Sequence, residues 1–132
     1  MKNDFVCPKC NGHLLVGGNI VFTGATKDGK RGLIFLNPQL GVYTKVMSPS
    51  FTIEKGEAVD FFCPLCHSNL AALDIDKRLV RLIMVEENLE NHEILFSGIE
   101  GEHCTYKVSE KRYEKFGAAW EHYDGFFRTR RV

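Results

Sequence analysis

Four cysteines carry the clearest chemistry in this chain, in two matched pairs: Cys7-Pro8-Lys9-Cys10 and Cys63-Pro64-Leu65-Cys66. A Cys-x-x-Cys turn lets two sulfurs on one short loop point at a common centre. Backbone N–H groups in the turn can donate to those sulfurs, and the proline after the first cysteine fixes φ and pre-shapes the turn. Zn²⁺ accepts four thiolates in a tetrahedron, and structural zinc sites are closed, with no position left for substrate. Cys7, Cys10, Cys63 and Cys66 are therefore the predicted ligands of one Zn²⁺ per chain.

The pairs belong to a longer repeat. Asp4-Phe5-Val6-Cys7-Pro8-Lys9-Cys10-Asn11-Gly12-His13-Leu14 returns 56 residues later as Asp60-Phe61-Phe62-Cys63-Pro64-Leu65-Cys66-His67-Ser68-Asn69-Leu70, with six of eleven positions identical. Each copy has an aromatic lead-in and a polar run out to leucine, which is the pattern of two strand-to-turn units. On these residues the chain resembles the zinc ribbon and rubredoxin-like group. The resemblance covers about two dozen residues and carries over the four cysteines alone. It implies metal-stabilised β-hairpins of a kind often used to bind protein or nucleic acid.

Two departures stand beside it. The spacer between the pairs is 52 residues, against a usual gap of about 15–20. Asn11 and His67 occupy the position after the second cysteine, where glycine is common in the group. The long spacer predicts a β-rich insertion, or a sheet of its own, between the knuckles, and the missing glycines weigh against an iron-binding rubredoxin. A thioredoxin-like redox pair needs a βαβ context with its first cysteine at a helix N-terminus, and no helical pattern follows either pair. Buried cysteine pairs without metal are the remaining alternative.

Other reactive side chains offer less. Cys104 follows His103, but neighbours on a strand point to opposite faces, so His103 is badly placed as its base. His92 could face Cys104 across a hairpin; the plainer reading is a core thiol. His67 beside Cys66 could support a metal ligand or replace one, though a solvated turn is the simpler account. His13 and His122 read as surface. Lys107, Lys111, Arg112 and Lys115, with Arg128, Arg130 and Arg131, could form a basic patch near the aromatic residues, but acids interleave along the chain.

The elements that must position the cysteines read mainly as strands. Lys27-Asp28-Gly29-Lys30 marks a hairpin turn. Val42 to Met47 alternates, as a two-faced strand does. Strands are predicted over Leu70–Ile75 and Leu79–Glu86, and a hairpin over His92–Ser97 and Glu102–Val108. One helix is predicted at about 109–124, with Ser109 as N-cap, Tyr113, Phe116, Trp120 and Tyr123 on one face, and Gly125 at its end. The predicted fold is thus mainly β: a zinc-ribbon-like pair of knuckles, a β-rich insertion and one C-terminal α-helix. The predicted organisation is a single zinc-ribbon-containing domain over 1–132, β-rich over 1–108, with a basic tail at 125–132.

Composition narrows the function. The chain has 132 residues, 44% hydrophobic and 26% charged, which suits a globular domain. Its apolar runs reach only four residues, as in Leu33–Leu36 and Leu82–Val85, so no membrane-spanning helix of roughly twenty residues is expected. The N-terminus lacks the apolar core of a signal peptide, and the expected compartment is the cytoplasm. Seventeen Lys and Arg balance seventeen Asp and Glu. Without a cation surplus, nonspecific nucleic-acid binding is disfavoured, while neutrality permits self-association. The nucleotide-binding glycine loops are missing, and no catalytic constellation is specified. The sequence points to a non-catalytic structural zinc protein that binds a protein partner as an adaptor. The alternatives are a nucleic-acid-binding ribbon and a rubredoxin-like iron or thiol redox protein.

Overall fold

The structure is a computed structural model and describes residues 3–87, 90–109 and 113–118. Among the described residues eleven strands run in chain order: β1 (Asp4–Val6), β2 (Leu15–Val16), β3 (Asn19–Thr26), β4 (Arg31–Leu36), β5 (Lys45–Met47), β6 (Val59–Phe62), β7 (Ala71–Ala72), β8 (Asp76–Val85), β9 (Asn91–Ser97), β10 (Thr105–Val108) and β11 (Tyr113–Phe116). They form two antiparallel sheets. One runs β1-β8-β9-β10-β11, with β7 also on β8; the other runs β2-β3-β4-β5, with β6 also on β3.

The second half of the chain repeats the first far beyond the cysteine motif. Ile20 pairs with Leu36 as Val80 pairs with Phe96, and Thr23 pairs with Leu33 as Ile83 pairs with Glu93. Leu36 pairs with Lys45 as Phe96 pairs with Thr105. The offset is 56 residues at the knuckles and 60 from the start of β3 and its equivalent within β8 onward, because six residues separate Ala72 from Leu79 where two separate Val16 from Asn19. The 52-residue spacer is therefore mostly the remainder of the first copy rather than an insertion into one ribbon.

Each copy lends its first strand to the other. Phe5 of β1 pairs with Met84 of β8, and the equivalent Phe61 of β6 pairs with Gly24 of β3. Such reciprocal contacts mark an isologous, two-fold arrangement, here within one chain. The exchanged strands bring both knuckles to the same place.

Period-two burial explains which side chains meet. In β3, Ile20 and Phe22 are buried while Val21 and Thr23 are half-buried; in β8, Leu82 and Met84 alternate with half-buried Arg81 and Ile83. The inward residues of both sheets share one core that includes Phe5, Leu14, Phe22, Phe61, Leu70 and Leu82. Phe22, Phe61 and Phe96 pack at tilted or edge-to-face angles, with centroids 5.2–5.7 Å apart, the geometry ring quadrupoles favour. A second cluster, Leu79, Leu95, Cys104 and Tyr106 among its members, packs apart from that core. Phe51 lies over the paired glycines Gly24 and Gly32; a Cβ on Gly32 would stand 2.7 Å from the Phe51 ring.

The C-terminal helix predicted at about 109–124 is not found among the described residues of that segment. Residues 113–116 form β11, which pairs with β10 from Val108–Tyr113 to Thr105–Phe116. The i, i+3 spacing of Tyr113 and Phe116 fits a helix, but β10 presents an open edge, and closing a hairpin onto it satisfies backbone groups of both segments. Among the described residues there is no helix at all. Trp120, His122, Tyr123 and the basic tail at 125–132 lie outside the described residues.

The remaining expectations fare better. The Lys27–Lys30 turn joins β3 to β4, and the hairpin expected over 92–108 is β9–β10. The alternating stretch from Val42 shrinks to the three residues of β5.

Candidate metal centre

The knuckles are built twice by the same hydrogen bonds. In the first, Cys7 N–H donates to Gly12 O at 2.9 Å, Asn11 N–H to Cys7 O at 2.9 Å, and Leu14 N–H to Phe5 O at 2.8 Å. In the second, Cys63 donates to Ser68 at 3.1 Å, His67 to Cys63 at 2.9 Å, and Leu70 to Phe61 at 2.9 Å. Asn11 and His67 sit at φ 62° and 65°. Both hold the left-handed conformation for which the group often uses glycine. Asparagine and histidine are among the non-glycine residues enriched there, so the missing glycines do not alter the turn.

The four sulfurs converge. Cys7, Cys10, Cys63 and Cys66 place their Sγ atoms within 4.8 Å of one another. Cys7 Sγ lies 3.8 Å from Cys66 Sγ, and Cys10 Sγ lies 3.8 Å from Cys63 Sγ. A disulfide needs a separation of about 2.05 Å, so the thiols are free. A tetrahedron with metal–sulfur bonds near 2.3 Å has edges of about 3.8 Å, which the two cross-knuckle contacts match. The contacts are reciprocal, first cysteine to second in each direction, as the two-fold arrangement requires.

Backbone amides surround the sulfurs. Cys7 Sγ accepts from the N–H groups of Lys9 (3.3 Å) and Cys10 (3.4 Å), and Cys63 Sγ accepts from those of Leu65 (3.3 Å) and Cys66 (3.4 Å). Gly12 N–H donates to Cys10 Sγ at 3.3 Å. These donors favour thiolate, the form that ligates metal. The first cysteine of each pair is buried; Cys10 is exposed and Cys66 half-buried.

Electrostatics differ between the inner and outer sulfurs. Burial pushes the Cys7 thiol up to about 12 in the absence of a cation, against the pull of the two amides. At Cys10 the Gly12 N–H pulls downward, but partial burial and the neighbouring sulfurs leave the thiol above its ordinary value. Cys66 is held down at about 6 by the hydroxyl and then the N–H of Ser68. A divalent cation among them would offset the charge that burial penalises at Cys7. The donor set and the spacing fit a metal ion held by four thiolates, and they leave no protein-free corner for chemistry.

The other candidate residues are not brought to this site. His67 is exposed on its turn. His13 pairs through Nδ1 with Asp4 Oδ2 at 2.5 Å on the outside of the first knuckle. Cys104 is fully buried in the second cluster, and burial raises its thiol to about 12. His92 does not reach it: His92 Nε2 lies 2.7 Å from Glu86 Oε1. His103 stacks on Tyr43, with centroids 4.4 Å apart and planes 4° off parallel.

One group went unnoticed in the sequence. Glu86, Glu90 and His92 gather closely enough to surround a cation. Lys107 Nζ stands 3.2 Å from Glu86 Oε2, so an ammonium already offsets one of its two carboxylates. The return of β9 along β8 brings its three members together around one turn, and β10 adds Lys107 beside them.

The described residues contain no helix long and apolar enough to cross a membrane. Comparison with protein-family models, with curated proteins and with solved structures finds no match.

Proposed function

We propose that the protein is a non-catalytic zinc-binding module in which one Zn²⁺, held by Cys7, Cys10, Cys63 and Cys66, ties together the two halves of a duplicated β fold for presentation to a protein partner. The convergence of four sulfurs at tetrahedral edge spacing carries the reading. Bound zinc supplies cross-linking and charge neutralisation; in small zinc domains it contributes an apparent 10–16 kcal/mol, roughly. All four positions come from protein, which is the mark of a structural rather than a catalytic zinc site.

A protein partner is favoured over nucleic acid by surface character. Leu65 projects from the second knuckle at 59% exposure, where the first knuckle carries Lys9, and Leu73 is also well exposed. Zero net charge gives no phosphate-binding surplus.

Elemental mass spectrometry of untagged protein, with thiol titration, tests the metal. One zinc per chain and four protected thiols are expected. Co²⁺ substitution should give the visible absorption of a tetrahedral tetrathiolate, whereas iron in the purified protein would return the redox alternative. Two disulfides or four freely reactive thiols would defeat the reading. For the partner, Leu65→Lys should weaken association without altering zinc content.

A further inference from the structure

A cavity of about 130 Å³ lies away from the cysteines, between the two sheets. Its walls obey the internal two-fold. Residues 37 and 39–45 line one side, and their equivalents 60 residues on, 97 and 99–105, line the other; Pro38 and its counterpart Gly98 are both left out. Deeper in, Phe5 faces with its equivalent Phe61, and Leu36 with Phe96. The stacked pair Tyr43 and His103 is itself an equivalent pair, so the stack sits where the two copies meet.

The two loops are tied to each other across the cavity. Each turns at a left-handed glycine, Gly41 at φ 89° and Gly101 at φ 83°. Tyr43 Oη lies 2.9 Å from Thr105 Oγ1, Lys45 is ion-paired to Glu100, and Ser97 donates to Glu102 at 2.6 Å. Polar groups thus occupy the rim and are mostly satisfied by one another, while the interior is aliphatic and aromatic. A cavity of roughly 150 Å³ lined by apolar side chains binds benzene, and its volume is close to that of this one.

We infer that this two-fold cavity is a binding site for a small neutral aromatic molecule of benzene to phenol size. A neutral ligand fits the rim because its charged groups are already engaged there: Lys45 pairs with Glu100, and Glu102 accepts from Ser97. Aromatic character follows from the walls: Phe61 and Phe96 already meet edge to face at 89°, and a third flat ring extends that packing. The His103 imidazole, at the exposed end of the stack, can meet one polar edge atom, so phenol should bind at least as tightly as benzene.

Titration of the full-length, zinc-loaded protein with benzene and with phenol, followed by amide NMR shifts, tests the site. Saturable shifts in both loops, 37–45 and 97–105, are expected, with Kd of about 1 mM or tighter. Leu40→Trp fills the cavity from a loop and should weaken binding at least ten-fold while zinc content is unchanged. Ile20→Phe fills it from a strand and reads the same way should the loop variant misfold. The proposal is overturned by an absence of saturable shifts up to the solubility of the probes, by shifts confined to one loop or lying elsewhere, or by filled variants that bind as the parent does.

Discussion

The two cysteines of each knuckle should be unequal once metal is removed, although all four would be equal as ligands. Cys7 Sγ is fully buried and accepts two backbone N–H groups. Cys63 repeats this arrangement. Truncating either to alanine removes a buried sulfur, worth about 1 kcal/mol by analogy with a methylene. It also leaves two amide donors unpaired, each costing about 1 kcal/mol at the low end that suits a weak sulfur acceptor. The total is about 3 kcal/mol. With a urea m-value of about 2 kcal/mol/M, the midpoint should fall by about 1.5 M. Cys10 lies at the surface, where water can replace its sulfur, and Cys66 is only half-buried; Cys10→Ala and Cys66→Ala should shift the midpoint by a small fraction of that. Urea unfolding in excess chelator measures all four. Without chelator, every variant should drop to its metal-free level. Equal losses at inner and outer positions in chelator would refute the argument that buried amide donors, and not the metal alone, shape the knuckles.

Phe51→Ala should cost about 3–5 kcal/mol, because the ring covers Gly24 and Gly32 at 3% exposure; a thermal melt within a degree of the parent would contradict this. Gly32→Ala should also destabilise, since its Cβ would meet the same ring at 2.7 Å, and the double variant with Phe51→Ala should recover part of the loss. Acid should weaken the fold through Glu86, whose carboxyl is held below its ordinary value by His92 first and Lys107 next. A depressed folded-state pKa gives stability that is present above the unfolded value near 4.3, roughly, and is lost as pH falls through the folded value. Melting curves from pH 6 to 3 should therefore decline less steeply for Glu86→Gln than for the parent, and parallel declines would count against the ion-pair network.

The knuckles were legible because their chemistry is local: the spacing and the proline fix the turn, and Phe5 and Phe61 mark the strands before it. The duplication beyond them was hidden by two effects. Four extra residues between Ala72 and Leu79 shift the alignment, and equivalent core sites keep only apolar character, as with Phe22 and Leu82 or Leu36 and Phe96. Cysteine tolerates no such exchange at a metal site, whereas a core needs only volume and hydrophobicity. The misplaced helix has a different cause. The i, i+3 spacing of Tyr113 and Phe116 suits a helix, but two aromatic residues carry little weight over so short a segment, and the edge of β10 decided against it. The Glu86–Glu90–His92 group lies at one hairpin turn, where acidic residues are ordinary and mark nothing; the cavity was illegible because it joins segments that meet only after the sheets form.

The exchange of β1 and β6 also sets an order of events during synthesis. At about 5–20 residues per second, β1 leaves the ribosome several seconds before β8, to which it pairs through Val85. For that interval its hydrophobic Phe5 and Val6 have no sheet to join. Cys7 and Cys10 wait as a lone dithiol until Cys63, 53 residues after Cys10, is made. The first half therefore cannot mature ahead of the second, and a nascent chain stalled before residue 85 exposes a strand that the β8 of a completed neighbour already matches.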